Sequence, residues 1–318
     1  MTFRVAFIGA GYMGEEHLKV FSAQPEFEIT GIYSRSIAKA EQLAEKYNVK
    51  HVANSIDNLF KNGKPELLVM CVPELELWGL FLGASTYPWK MLIEKPVGIN
   101  LAEANKFLAK AKASNLEVYV GLNRRHYSST RLALEKLKSD PGNRFVSLID
   151  QEDLLQAKRT GQPEAVLNNW MYTNSIHVID LFSIFCRGSV NSVESFQNSL
   201  NGSSKIISSV IKFDSGDLGI YNGIWDAPGP WHASITTGKS RYELRPLEEI
   251  AIQEFPSRSS RLFERSEVDK KYKPGLFEQS NQTVLMLKNE NHTLPSLSET
   301  MKTMSLIERI YFDPSNTN

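Results

Sequence analysis

Phe3-Arg4-Val5-Ala6-Phe7-Ile8 runs straight into Gly9-Ala10-Gly11-Tyr12-Met13-Gly14. A short apolar strand that meets a G-x-G-x-x-G turn at the opening of a helix satisfies the physical demands of a dinucleotide cradle. Gly9 permits the tight turn, Gly11 lets the backbone approach a pyrophosphate, and Gly14 lets the helix lie close on the strand. Tyr12 and Met13 complete the cofactor-binding stretch. The helix reads with Leu18, Phe21 and Ser22 toward the core. Its N-terminus, with unpaired N–H groups and the positive end of the dipole, favours phosphate.

About 20 positions beyond such glycines an acidic residue accepts the adenosine ribose 2′-hydroxyl, whereas an arginine there suits a 2′-phosphate. Here the second strand, Phe27 to Tyr33, ends in Ser34-Arg35-Ser36, with Lys39 one turn on. The acid is missing. Ser34, Arg35, Ser36 and Lys39 form a cluster of donors and positive charge, Ser36 doubling as the cap of a helix from Ile37 to Tyr47. The cluster favours NADP as cofactor, with NAD as the alternative.

At 318 residues the chain is long enough for two domains. Basic and acidic residues balance at 36 each, so no global field draws it to nucleic acid or to an anionic membrane. No apolar run approaches the roughly 18 residues of a membrane span, and Met1-Thr2-Phe3-Arg4 has no basic region before an apolar one. A cytoplasmic protein acting on small polar metabolites is expected. Cys71 and Cys186 sit far apart in apolar stretches, which suits buried free thiols and not a disulfide or a metal site. Triplets such as Asn201-Gly202-Ser203 are then irrelevant to glycosylation.

Strand and helix patterns alternate through the first half. Glu66 to Pro73 is nearly all apolar, as in a parallel sheet covered on both faces. Met91-Leu92-Ile93 is another such strand, and Val118-Tyr119-Val120-Gly121 closes the series. Between them Asn100 caps a helix with Glu103 at the reciprocal position, its apolar face carrying Leu101, Ala104, Leu108 and Ala111. The alternation predicts a doubly wound parallel sheet whose ligands lie at the carboxyl ends of the strands. Val72, Pro73, Glu94 and Lys95 occupy those ends. Lys95, between Glu94 and Pro96, is placed to reach a substrate.

From His126 the pattern changes. Lys205 to Phe213, a turn at Asp214-Ser215-Gly216-Asp217, and Leu218 to Trp225 read as a hairpin in an antiparallel sheet. Leu218, Ile220 and Ile224 fall on one face of the last strand and Tyr221 and Trp225 on the other. With one face covered by helices, the other is available to a second subunit. Asn168 to Phe182 reads as one helix with Ile176, Ile179, Phe182 and Ser183 inward and Thr173, Asn174, His177 and Asp180 on a neighbouring face. Asn169, Trp170, Tyr172, Trp225 and Trp231 add aromatic and polar groups suited to a carbohydrate. Ser296 and Glu299 form a capping box for a final amphipathic helix.

The glycine fingerprint with His17 after it, Glu94-Lys95-Pro96, Gly121-Leu122-Asn123-Arg124-Arg125 and Ile176-His177-Val178-Ile179-Asp180 together resemble the glucose–fructose oxidoreductase, inositol dehydrogenase and rhizopine catabolism (Gfo/Idh/MocA) family, nearly end to end. The resemblance implies an α/β fold in which a doubly wound Rossmann domain over 1–123 is followed by a substrate-binding and oligomerisation domain over 124–293. That second domain is α+β, on a large, mostly antiparallel open sheet, and 294–318 is a helix returning to the domain junction. It implies hydride transfer between nicotinamide C4 and a hydroxyl-bearing carbon of a sugar, cyclitol or sugar nucleotide, in a homodimer or homotetramer. His177 is then an acid/base opposite Lys95, with Asn123, Arg124, Tyr172, Thr173 and Asn174 as further substrate contacts. Thr173 stands where inositol-type relatives often carry Asp, which weakens transfer of the inositol specificity. Two rivals are a glycosidase of the same fold that uses bound NAD for transient oxidation, and a nucleotide-binding regulator without turnover.

Overall fold

The computed structural model describes residues 2–199 and 205–312. The Asn201-Gly202-Ser203 triplet lies outside them. Two compact units form, Met1–Asn123 with Gly275–Met301, and Arg124–Pro274 with Lys302–Asn318.

The first unit runs β1 (Phe3–Ile8), α1 (Tyr12–Phe21), β2 (Phe27–Tyr33), α2 (Ile37–Tyr47), β3 (Val52–Ala53), α3 (Ile56–Gly63), β4 (Leu67–Met70), α4 (Glu74–Ala84), β5 (Lys90–Glu94), α5 (Leu101–Ala113) and β6 (Val118–Gly121). Its six strands are all parallel, in the order β3-β2-β1-β4-β5-β6. Every residue of β4 is buried, the signature of a strand covered on both faces. The connection after α2 holds an edge strand, β3, that the sequence reading passed over, because two residues carry no periodicity. Asn100 caps α5 as expected, accepting from the Glu103 N–H at 2.8 Å. The most buried face of α5 is Ala104, Phe107 and Ala111, rotated by one position from the expected stripe. Ser22, read as inward, is exposed at the end of α1.

The residues from 275 to 293 were read with the second domain. They pack with the first, because Val284, Met286, Leu287 and Leu294 join the core of Phe7, Leu18, Phe21 and Val69. Chain contacts reinforce this: the Val120 N–H donates to the Pro295 carbonyl at 3.0 Å.

A tight turn at Asn123–His126 carries the chain from the first unit into the second. The second unit continues with α6 (Ser128–Leu137), β7 (Phe145–Glu152), α7 (Leu154–Arg159), α8 (Glu164–Leu167), α9 (Trp170–Thr173), α10 (Ile176–Ile179) and α11 (Phe182–Phe185). Then come β8 (Val190–Ser199), β9 (Lys205–Phe213), β10 (Leu218–Trp225), β11 (His232–Thr236), β12 (Ser240–Leu244), β13 (Ile250–Glu254), β14 (Ser260–Phe263) and α12 (Glu267–Lys271). After α13 (Leu276–Leu287) of the first unit, α14 (Leu297–Phe312) ends the described chain. Ser296 and Glu299 form the expected box on α14, the Ser296 N–H donating to Glu299 Oε2 at 2.7 Å and the Glu299 N–H to Ser296 Oγ at 3.2 Å.

The eight strands of this unit follow the order β14-β13-β12-β11-β7-β10-β9-β8. All neighbours are antiparallel except β7 and β10, which run parallel. In β10 the buried face is that of Tyr221 and Trp225, while Ile220 and Ile224 are half-exposed. Gly216, at φ +85°, makes the turn of the β9–β10 hairpin, a conformation that favours glycine.

The stretch from Asn168 to Phe182 is three single-turn helices, not one. The chain leaves helical geometry at Asn174, φ −127° and ψ −49°. Ile176, Ile179 and Phe182 are buried as expected, but Ser183 is exposed. The break also takes Asp180 off the polar face assigned to it. Its carboxylate accepts from Arg125 Nε at 2.6 Å and Nη2 at 2.7 Å, and from Thr303 Oγ1 at 2.8 Å. A planar bidentate pair of this kind fixes both partners in orientation.

A second buried carboxylate ties the ends of β7, α11 and the hairpin. Asp217 Oδ1 accepts from Arg187 Nη2 at 2.6 Å and from the Arg144 N–H at 2.9 Å. Its Oδ2 accepts from the Arg187 N–H at 2.8 Å and Arg187 Nε at 3.0 Å. Burial alone would raise the Asp217 pKa, but these bonds outweigh it and hold the carboxyl below its ordinary value. Cys71 and Cys186 are both free and buried, and burial pushes both thiols up.

Candidate active site

In the first unit the three glycines of the turn have three different reasons to be glycine. Gly9 sits at φ +110°, and a Cβ there would lie 2.0 Å from the Cys71 carbonyl oxygen. Its N–H donates to the Tyr33 carbonyl at 2.9 Å, tying the turn to β2. A Cβ on Gly14 would lie 2.3 Å from the Gly9 carbonyl oxygen. Gly11 differs, because no described atom lies within 4 Å of where its Cβ would be, and it caps α1 in extended geometry. Packing explains Gly9 and Gly14. Space left open over the backbone at a helix N-terminus explains Gly11, and that space is what a pyrophosphate requires.

Gly11→Val is therefore expected to fold normally and to lose dinucleotide binding by roughly a hundredfold or more. A thermal melt alongside a fluorescence titration with reduced cofactor checks both halves; unchanged affinity would remove the phosphate from this position.

The remaining cofactor residues lie at the carboxyl ends of the strands. Ser34 is half-buried, and Arg35, Ser36 and Lys39 are exposed. Ser36 takes the N-cap position of α2, but its side chain makes no cap bond. Its N–H instead donates to Ser34 Oγ at 3.3 Å. Arg35 Nη1 pairs with Glu76 Oε1 at 3.1 Å, both side chains well exposed. Such a pair contributes little and is readily exchanged for a better anion. Tyr12 is exposed and Met13 packs on the core. Val72 is half-buried and Pro73 exposed at the start of α4.

Glu94 and Lys95 separate in role. Glu94 is buried and bonded to His17 Nε2 at 2.7 Å, so α1 is pinned to the end of β5. A Cβ on Gly121 would lie 3.1 Å from Glu94 Oε1, which accounts for glycine at the end of β6. Lys95 is half-buried and follows on the same strand end. Asn123 is buried.

In the second unit several candidates gather around Trp231. The Arg124 guanidinium lies 4.4 Å from the Trp231 ring centroid, and the buried His177 ring lies 6.4 Å from it. Trp231 Nε1 donates to the Gln151 carbonyl at 2.7 Å, fixing the indole. Asn174 Nδ2 and Trp170 Nε1 donate to Glu152 Oε2 at 2.7 and 2.6 Å. Arg124, Asn174 and His177 are thus brought into one neighbourhood, with Trp170 and Trp231. Tyr172 and Thr173 are buried, and the Tyr172 hydroxyl bonds to Glu308. Trp225 is also core.

Two residues absent from the sequence reading complete this neighbourhood. Asp150 and Glu152 are 0% and 2% exposed. The alternation that buries Val146 and Leu148 in β7 buries them as well. Among the described residues no group of three or more His, Cys, Asp or Glu is arranged to hold a metal ion, and no helix is long and apolar enough to cross a membrane.

Residues 3–122 match the oxidoreductase family with an NAD-binding Rossmann fold, Gfo/Idh/MocA. The 4-carboxy-2-hydroxymuconate-6-semialdehyde dehydrogenase of Sphingobium sp. is 23% identical over 184 residues, 57% of this chain and 58% of that protein. The scyllo-inositol 2-dehydrogenase (NADP(+)) of Bacillus subtilis is 25% identical over 36% of this chain and 34% of its own. The chain thus matches between about a third and three-fifths of the length of these curated relatives. A dehydrogenase from Chromobacterium violaceum superposes with TM-score 0.84 at 18% identity, covering 98% of this chain and 94% of that one. An oxidoreductase from Agrobacterium radiobacter, solved with NAD+, L-tartaric acid and magnesium, superposes with TM-score 0.77 at 12% identity over 98% of this chain and 96% of that one. The parallel sheet, the three-glycine turn and the matched sequence agree: residues 3–122 form a domain that matches the Gfo/Idh/MocA oxidoreductases, a family with an NAD-binding Rossmann fold.

Proposed function

We propose that the chain is an NAD(P)-dependent oxidoreductase acting on a hydroxyl-bearing carbon of a sugar, cyclitol or sugar nucleotide. The observation that carries this reading is the cradle at Gly11, open where Gly9 and Gly14 are closed by packing. Nicotinamide C4, when the cofactor is bound, accepts or supplies the hydride. The protein's part is orientation and proton handling. Lys95 donates a hydrogen bond to the carbinol oxygen and stabilises the charge that develops there, and His177 takes the hydroxyl proton in the oxidising direction. The names of the curated relatives span an aldehyde, a diol and cyclitols, so the substrate is chosen by this chain's own residues. A screen of sugars and sugar nucleotides at the nicotinamide absorbance tests the reading; no turnover across the screen by protein that binds the dinucleotide would sink it.

The cofactor is NADP by preference. Ser34 leaves no carboxylate to repel a 2′-phosphate, and Arg35 and Lys39 are exposed beside it. Arg35→Ala is expected to weaken NADP by about tenfold, the loss of one charge-assisted bond, and to leave NAD nearly unchanged. Equal effects on the two cofactors in paired titrations would argue against the assignment.

The second unit also supports self-association. Phe145 is exposed and Ile149, Ile206, Val210, Ile220 and Ile224 are half-exposed on one face of the large sheet, an apolar area of the kind that monomers rarely leave open. A homodimer or homotetramer is expected in solution scattering at micromolar concentration. A monomer mass there would rule it out.

A further inference from the structure

The glycine turn of the first unit lies between the ends of two strands that flank β1. On one side the Gly9 N–H is bonded to the Tyr33 carbonyl of β2. On the other, a Cβ on Gly9 would meet the Cys71 carbonyl oxygen and the Val72 side chain, just past β4. An ion pair joins these two flanks. Arg35, two residues beyond β2, and Glu76, in the first turn of α4, approach to 3.1 Å. Each partner also has an exposed apolar side chain close by in sequence, Ile37 and Leu75, surfaces of the kind a flat base covers.

A doubly wound fold takes the adenosine ribose at the end of its second strand, where a carboxylate accepts from a 2′-hydroxyl and an arginine pairs with a 2′-phosphate. Here β2 runs into Ser34 and has no acid at that end. Helix α4 brings one from across the turn. A 2′-phosphate, close to a dianion at neutral pH, is therefore met by one positive and one negative group. The Arg35 and Glu76 side chains are 85% and 52% exposed, so the pair adds little stability and opens readily. Its consequence is for ligand choice. NADP has to part the pair and leave the carboxylate beside its phosphate, whereas NAD presents a neutral hydroxyl. An acid in the first turn also suits the dipole of α4, a role that Glu74 shares; the contact with Arg35 belongs to Glu76.

We propose that Glu76 is a specificity-determining residue of the dinucleotide site: it competes with the 2′-phosphate of NADP for Arg35, and so narrows the preference for NADP over NAD that Ser34 and Arg35 create. The inference rests on the reading of the chain as an NAD(P)-dependent oxidoreductase with Arg35 at the adenosine ribose. It adds the residue that sets how sharply the two cofactors are told apart. The competing carboxylate costs NADP about three- to tenfold in affinity, the scale of one exposed pair lost together with the screened repulsion of like charges.

The test is a set of paired titrations of the full chain with NADPH and NADH, followed by the emission of the reduced nicotinamide. Glu76→Gln is expected to tighten NADPH by about three- to tenfold and to leave NADH within about twofold. Glu74→Gln, which removes an acid from the same turn of α4, is expected to move the ratio of the two cofactors by less than about twofold. In the Arg35→Ala background the effect of Glu76→Gln on NADPH is expected to fall below about twofold, because no guanidinium is left to compete for. Thermal melts accompany each variant, and Glu76→Ala replaces the glutamine variant if that one does not fold. NADPH no tighter in the Glu76 variant, NADH tightened equally, the same shift from Glu74→Gln, or an undiminished shift without Arg35 would each overturn the proposal. Weaker NADPH in Arg35→Ala with no effect at Glu76 would sink this inference alone. NADPH unmoved by Arg35→Ala, or no binding of either dinucleotide, would sink the cofactor reading and the inference together.

Discussion

Lys95→Met is expected to slow the chemical step by roughly 10²- to 10⁴-fold while the dinucleotide dissociation constant stays within about threefold. Methionine keeps the length and apolar stem of the side chain and removes the charge and all its donors. Lys95 follows a Glu94 that is buried and held by His17, which anchors the strand end. On the proposed role of His177 as the base, His177→Ala is expected to give a loss of similar size. The two variants separate in their pH profiles. Without the base, the rate rises with pH as hydroxide takes its place; without the lysine, the profile keeps its lower limb and loses height. Single-turnover rates with saturating cofactor give the measurement, and a near-normal rate in either variant would remove that residue from the mechanism.

Asp217→Ala is expected to destabilise the protein by about 2–3 kcal/mol, the cost of leaving buried donors without their acceptor, and to lower Tm by roughly 4 °C. The Asp217 side chain is 0% exposed, whereas Arg187 is 34% exposed and keeps the Pro141 and Gly142 carbonyls as partners, so solvent screens its charge. Two backbone N–H groups, of Arg144 and Arg187, lose their acceptor at the same time. The pH dependence follows from the depressed pKa of Asp217. A carboxyl lowered on folding contributes stability that is fully present above its ordinary range, near pH 4, and is lost as pH falls through the folded value. The gap between wild type and variant should thus be full at pH 7 and shrink in acid. Denaturation midpoints at both ends of that range check this; a gap that widens in acid would contradict the sign.

The alternation of strands and helices up to Gly121 was legible in the first unit. Phe27–Tyr33 and Ile37–Tyr47 have the bounds that their patterns implied, because parallel strands buried on both faces are continuous apolar runs and amphipathic helices repeat every turn. The hairpin from Lys205 to Trp225 was equally plain. The segment around His177 was not. A polar run without Gly or Pro reads as one helix, yet it is three single turns, because the buried partners of Asn174 and Asp180 hold the backbone where local periodicity would not.

The acid pair shows the same division. Val146, Leu148, Asp150 and Glu152 share one parity in β7, so their common face could be read from the text. That this face is buried for all four could not, since it depends on Trp170, Asn174 and Tyr221 arriving from elsewhere in the chain. By itself the sequence determined the local matters: the strand, the glycine turn, the helix caps and the Ser34-Arg35 junction, each set by neighbours within a few residues. Only the tertiary structure decided which glycine faces open space, which carboxyls lose their water, and that residues 275–294 close the first unit's core. Burial and the pairing of charges are fixed by groups far apart along the chain, and local pattern carries no record of them.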